Sequence, residues 1–388
     1  MNEVISGALA SGRAAPDTTR RQAVVGFLAA AAAIAGLDAE SAAKKNKRKR
    51  RKKRKNKNKK QQQYNSPALQ RPNVALGVYL SRALDDQAVL TGFHQAIGRS
   101  LNFVIWYEDW ARGNFDNGHR QYLATFDRWN MTPVISWGPF AANGPTINQP
   151  TYRLANITRG DFNEYIDSWA VALTAYGKPV YLRFAHEMNG NWFPWGVGVN
   201  GNQPGDFVAA WRYIHDRFTS AGATNVRWVW NPNIVYDSIP ATLREVYPGH
   251  DYVDWVGMNG YNWGTSVYWA SCPCRSQWET FAQIFDRTYR ELTALANKPI
   301  FIGEFASSEE GGNKANWISD ALLQQLPNRY PKVQAISWFS KIATGLDTVA
   351  PGDVRPTTEV DWRITSSAAA RKAFAAAVKT PYYQAKLR

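Results

Sequence analysis

Eight short apolar runs, each followed by a stretch with helical spacing, constrain this chain more than any other feature of its sequence. They are Asn73–Leu80, Asn102–Tyr107, Pro133–Trp137, Pro179–Phe184, Val226–Trp230, Val253–Asn259, Pro299–Phe305 and Val333–Phe339. Each is near-continuously apolar and rich in Val, Ile and aromatics, the pattern of parallel strands covered on both faces. Between them lie amphipathic stretches such as 161–175 and 204–220. In the first, Phe162, Tyr165, Ile166, Trp169 and Leu173 recur at spacings of three and four, which predicts one buried helical stripe. Strand–helix alternation eight times over argues for an α/β fold, a single (β/α)8 TIM barrel spanning 72–388. A doubly wound open sheet would want a Gly-rich phosphate loop after its first strand. Gly77-Val78-Tyr79-Leu80-Ser81-Arg82 supplies none.

In a barrel the chemistry sits at the C-terminal ends of the strands. Strand four runs on through Arg183-Phe184-Ala185-His186-Glu187, and strand seven through Ile302-Gly303-Glu304. Each apolar strand thus ends in a carboxylate that packing does not require. Strands four and seven lie on opposite sides of the barrel axis, so Glu187 and Glu304 can face each other across the mouth. A retaining glycosidase needs that arrangement: one carboxylate attacks the anomeric carbon and the other protonates the leaving oxygen, roughly 5–5.5 Å apart. Like charge and partial burial would keep one proton on the pair near neutral pH. The competing reading is a strand-end Glu that only salt-bridges a basic neighbour such as Arg183. Seventeen Trp and eighteen Tyr exceed what a core needs and suit sugar rings or bases. Asn231, Asn233, Trp137, Trp263, Trp106, Glu108 and Asp109 also stand at strand ends as weaker candidates for sugar contacts.

Arg183-Phe184-Ala185-His186-Glu187-Met188-Asn189-Gly190-Asn191-Trp192 with Trp195, followed by Ile302-Gly303-Glu304-Phe305, resembles glycoside hydrolase family 26 from about Pro72 to Trp362. That family holds β-mannanases, mixed-linkage β-glucanases and a few xylanases. The resemblance implies Glu187 as acid/base and Glu304 as nucleophile, with a covalent glycosyl-enzyme intermediate. Arg183 and His186 would line the subsite of the reacting sugar, and Tyr261 would hydrogen-bond the nucleophile. Trp192 and Trp338 would wall the cleavage point, with Trp195 and Asn231 also among the substrate-binding candidates. His186 and Trp338 have structural readings too, as a satisfied strand-end histidine and as core. The activity implied is that of a mannan endo-1,4-β-mannosidase. Asn259 departs from the Asp that the family's mannanases hold two residues before this Tyr, which keeps a mixed-linkage β-1,3-1,4-glucanase in view. A non-catalytic polysaccharide-binding barrel is the alternative from another class. No metal or cofactor is expected, because the carboxylate pair supplies both attack and proton transfer.

The net charge of +15 is a property of one segment. Lys44–Lys60 holds fourteen Lys or Arg and no acid, while residues 1–43 sum to −1, which leaves about +2 beyond position 60. The fold itself is nearly neutral, and no nucleic-acid partner is expected. Residues 1–43 read as a twin-arginine export signal: Thr19-Arg20-Arg21-Gln22-Ala23-Val24-Val25, an apolar run to Leu37, then Ser41-Ala42-Ala43. That predicts a secreted or cell-surface enzyme. Residues 44–71 read as a disordered polybasic linker, a solvated spacer or a contact with an anionic cell-envelope surface. Cys272 and Cys274 are the only cysteines and read as a loop ornament or local clip. A monomer is expected, with a β-linked polysaccharide as its partner.

Overall fold

A computed structural model describes residues 45–52, 67–145, 147–266, 277–343 and 360–387. The chain divides into a unit of residues 1–64 and a unit of residues 65–388. In the first, residues 45–52 form a helix with every side chain exposed. Irregular chain was expected there; Lys and Arg are good helix formers by intrinsic propensity. The whole of the expected export signal, and both cysteines, lie outside the described residues. Among the described residues no helix is long and apolar enough to cross a membrane. The second unit starts before Pro72: Pro67–Gln70 make a 3-10 turn and bury Leu69.

The eight apolar runs form eight parallel strands closed into a barrel in sequence order. They are β1 (Ala75–Leu80), β2 (Phe103–Asp109), β3 (Val134–Gly138), β4 (Val180–Phe184), β5 (Val226–Trp230), β6 (Trp255–Asn262), β7 (Ile300–Ser307) and β8 (Val333–Ser340). β6 and β7 run past the apolar runs to Asn262 and Ser307, so Tyr261 joins Asn259 and Glu304 within strands. The helices form where amphipathic spacing predicts them. Asn163–Tyr176 buries Tyr165, Ile166, Trp169 and Leu173 and ends at Gly177, whose φ of 69° suits the left-handed cap. Asp206–Ser220 likewise buries Phe207, Trp211, Ile214 and Phe218.

Alternation along the strands separates two cores. Ala75, Phe103, Ile105, Val134, Tyr181, Val229, Trp255, Phe301 and Ala335 point inward and plug the barrel. The intervening residues face the helices. The plug is close-packed: a Cβ on Gly77 would lie 2.0 Å from the Phe103 ring, so only glycine fits there. Above the plug, the next inward positions are polar, and they build the site.

β7 breaks the alternation at one place. Met258 pairs with Ile302 but Asn259 pairs with Glu304, and Ile302 pairs with Ile336 but Phe305 with Trp338, so β7 carries an extra residue against both neighbours. Such a bulge flips every side chain after it to the other face. Counting by twos from the inward Phe301 would put Phe305 in the barrel and Glu304 outside. Instead Phe305 packs in the outer core against Trp338, with ring centroids 5.0 Å apart, and Glu304 turns inward.

Candidate active site

Glu304 is held by phenols and a guanidinium. Tyr107 donates to its Oε1 at 2.5 Å, Arg183 Nη2 donates to the same oxygen at 3.2 Å, and Tyr261 donates to Oε2 at 2.5 Å. His186 Nε2 lies 3.8 Å from Oε1. Burial alone would raise the carboxyl's pKa, but the Arg183 charge, His186 and the two phenols together outweigh it and lower it. Glu304 is therefore the more readily ionised of the pair. Gly303 makes this possible, since a Cβ there would sit 2.2 Å from Asn231 Oδ1 and 2.7 Å from Arg183 Nη2.

Glu187 meets a different environment. Asn259 Nδ2 donates to its Oε1 at 2.8 Å and Asn233 Nδ2 to the same oxygen at 2.9 Å, while Trp192 Nε1 donates to Oε2 at 2.7 Å. None of these donors carries charge. Burial, and then the negative charge of Glu304, push its pKa up to about 7, against the pull of the three hydrogen bonds. The chain reaches this position through two left-handed residues, Ala185 at φ 44° and Glu187 at φ 57°. Non-glycine residues pay for that conformation, and neighbouring strands hold it. Ala185 N donates to Trp137 O at 3.0 Å, and Glu187 N donates to Asn231 O at 2.8 Å.

One buried network joins the two carboxylates. Arg183, fully buried, donates from Nη1 to Ser136 Oγ at 2.6 Å, from Nε to Asn231 Oδ1 at 3.2 Å, and from Nη2 to Asn259 Oδ1 at 3.3 Å as well as to Glu304. Asn231 Nδ2 donates to Asn259 Oδ1 at 2.9 Å. Asn259 thus accepts on the Arg183 side and donates on the Glu187 side. His186 is buried, which pushes its pKa down to about 4 despite Glu304, so it is neutral at neutral pH. Its Nδ1 has no hydrogen-bond partner among the described residues.

Of the residues expected at the site, Glu187, Glu304, Arg183, His186, Tyr261, Trp192 and Asn231 converge at the mouth. Asn231 is fully buried behind Arg183, so it supports the site from within instead of facing a ligand. Two tryptophans depart from expectation. Trp338 lies on the outward face of β8, fully buried among Phe305, Trp317 and Phe374, with its Nε1 donating to Trp362 O at 2.7 Å. It is core, because alternation from the inward Ala335 turns position 338 outward. Trp195 is also fully buried; it donates to His186 O at 2.7 Å and stacks on Phe193. It braces the end of strand four and offers no face to a sugar.

Among the weaker candidates, Asn233 touches Glu187, and Trp263 is half-buried beside Tyr261, ring centroids 5.8 Å apart. Trp106, Trp137 and Glu108 face the helical layer instead. Trp137 Nε1 donates to Tyr165 Oη at 2.7 Å, and Trp106 Nε1 donates to Glu108 Oε2 at 2.7 Å. Asp109 is half-buried at the end of β2. Tyr107, which sequence reasoning passed over, is the residue the structure adds. Its register with Ser136, and that of Ser136 with Arg183, put all three on the inward face.

The chain is similar to known glycoside hydrolases. A model of glycosyl hydrolase family 26 matches residues 111–297. Endoglucanase H of Acetivibrio thermocellus is 36% identical over 296 residues, covering 75% of this chain and 29% of that protein. A protein of Caldalkalibacillus mannanilyticus, mannan endo-1,4-beta-mannosidase A and B, is 35% identical over 171 residues, covering 42% of this chain and 29% of its own length. The chain therefore spans under a third of these curated relatives. Among solved structures, the catalytic domain of a Bacillus family 26 endo-β-1,4-mannanase superposes with a TM-score of 0.57 at 18% identity, over 82% of this chain and 89% of that one. That likeness concerns the fold.

Proposed function

The chain belongs to glycosyl hydrolase family 26, and from that premise we propose that it is a retaining endo-β-1,4-glycan hydrolase. The observation that carries the reading is the opposite tuning of two buried glutamates linked by one network. Glu304 is held as the carboxylate and Glu187 holds a proton to about pH 7. In the first step Glu304 attacks the anomeric carbon while Glu187 protonates the departing glycosidic oxygen. In the second, Glu187 takes a proton from water as that water displaces Glu304. Neutral His186 and half-buried Trp192 are the side chains offered to the reacting sugar. Arg183 acts through Glu304 and Asn259.

The substrate divides into two readings. Mannan follows from the family resemblance and from the mannanase relative. A mixed-linkage β-1,3-1,4-glucan is favoured by two specific observations. Asn259 places an amide, not a carboxylate, between Arg183 and Glu187, and the relative that matches three quarters of this chain is named an endoglucanase. Incubating the full chain with mannan, galactomannan, barley-type glucan and xylan, and measuring new reducing ends, tests both. Release from glucan or mannan, with internal cleavage seen as an early fall in viscosity, is the expected result. Binding without release on all four would replace the hydrolase with a polysaccharide-binding barrel.

A further inference from the structure

Tyr107 has no part in the steps above, although its hydroxyl touches the nucleophile. Its ring is set edge-on against Tyr79 at 4.7 Å and His186 at 5.7 Å, so the phenol has little freedom. The two oxygens of Glu304 are unequally held. Oε1 accepts from Tyr107 at 2.5 Å and from Arg183 at 3.2 Å, with His186 beyond; Oε2 accepts from Tyr261 at 2.5 Å and from no other described residue. A carboxylate oxygen has two lone pairs. On Oε1 both are engaged, and on Oε2 one is free to reach carbon.

On the reading of Glu304 as nucleophile, we propose that Tyr107 is a positioning residue that, with Arg183, holds Oε1 as the carbonyl oxygen of the glycosyl ester and leaves Oε2 as the attacking oxygen. The Oε2 lone pair forms the bond to the anomeric carbon as the bond from that carbon to the glycosidic oxygen breaks. The released pair stays on the departing oxygen, which takes the Glu187 proton. Oε1 becomes the ester C=O, and the Tyr107 hydroxyl remains its donor. When water displaces the ester, its proton goes to Glu187 and the electron pair of the carbon–Oε2 bond returns to Glu304. Tyr107 and Arg183 then receive the restored charge. A donor to a charged oxygen is worth more than the same donor to a neutral one, so Tyr107 acts chiefly on breakdown of the intermediate.

Trapping the full-length protein with 2,4-dinitrophenyl 2-deoxy-2-fluoro-β-cellobioside, and with the mannobioside analogue as a second arm, tests this directly. The crystal structure of the labelled protein should show the sugar on Oε2, with Tyr107 and Arg183 still on Oε1. A sugar bonded to Oε1 overturns the proposal. Absence of label on Glu304 in both arms is a different failure, because it removes the nucleophile assignment on which the proposal rests. In solution, Tyr107→Phe should label normally, reactivate about 10- to 100-fold more slowly, and show the acidic limb of kcat/KM at higher pH. Reactivation at the wild-type rate overturns the proposal. If this variant does not fold, the trapped wild-type structure still decides.

Discussion

Glu304 and Glu108 are both buried glutamates near the ends of barrel strands, and only the face of the strand separates them. Glu108, one residue after Tyr107, points to the helical layer. It accepts from Trp106 Nε1 at 2.7 Å and Arg112 Nη1 at 3.1 Å, and it pairs with His119 Nε2 at 3.1 Å. Glu304 points into the mouth, where Tyr107, Tyr261 and Arg183 hold it. Each carboxylate accepts from three side chains, so neither burial nor partner count distinguishes structure from chemistry. The bulge at Gly303 does, because it turns Glu304 inward, where a substrate can reach it. Glu108 ties β2 to the helix Asn117–Arg128, which begins beside it.

That comparison breaks most sharply at the nucleophile. Glu304→Ala should lower hydrolysis of the preferred polysaccharide by about 10^4-fold or more, as removal of a catalytic nucleophile does elsewhere. Glu108→Gln should leave kcat within a few-fold of wild type and cost about 1–3 kcal/mol of stability, read by denaturant unfolding. Comparable losses of turnover in the two variants, with both folded, would mean that strand face does not separate the roles.

Glu187 sharpens the comparison on the other side of the mouth. Its raised pKa means that the protonated form, needed by the leaving group, is present below about pH 7 and lost above it. The lowered pKa of Glu304 keeps the nucleophile ionised through the same range and loses it only in acid. The profile of kcat/KM should therefore be bell-shaped, with its alkaline limb near 7. Glu187→Ala should lose about 10^2- to 10^4-fold on polysaccharide and remove that limb. It should recover turnover with azide on an activated aryl glycoside, where no proton is needed for departure. An alkaline limb that survives in Glu187→Ala would assign it to another group.

Much of this site was legible in the sequence, and the limits of that legibility have physical causes. The eight strands announce themselves because parallel barrel strands are apolar on both faces. A charged residue ending such a run then stands out, which is how Glu187, Glu304 and Arg183 are found. The same two-sided apolarity hides which residues point inward. On β2, Trp106 and Tyr107 are both aromatic, and nothing local says that the tyrosine faces the nucleophile and the tryptophan the helices. The misplacement of Trp338 has the same origin. Counting by twos along β8 would have turned it outward, but that count needs an anchored inward residue such as Ala335. On β7 even the count misleads, since the bulge at Gly303 reverses it. The start of the fold before Pro72 escapes the sequence because Leu69 is the one large aliphatic residue in a stretch otherwise of small and polar side chains.

The finest version of the comparison uses two tryptophans, one on each side of the wall. Trp192 donates to Glu187 Oε2 at 2.7 Å, and Trp338 donates to Trp362 O at the same distance in the outer core. Changing each to Phe keeps an aromatic ring and removes the indole donor. In Trp192→Phe the charged form of Glu187 loses one of its three hydrogen bonds, so its pKa rises and the alkaline limb moves above the wild-type position near 7. The rate at the optimum should change only a few-fold, since the amides of Asn233 and Asn259 still hold Oε1. In Trp338→Phe a buried carbonyl loses its donor, at about 1–3 kcal/mol of stability, and the limb should stay where it was. A shifted limb in Trp338→Phe beside an unmoved one in Trp192→Phe would show that the inward and outward faces are not the division that organises this barrel.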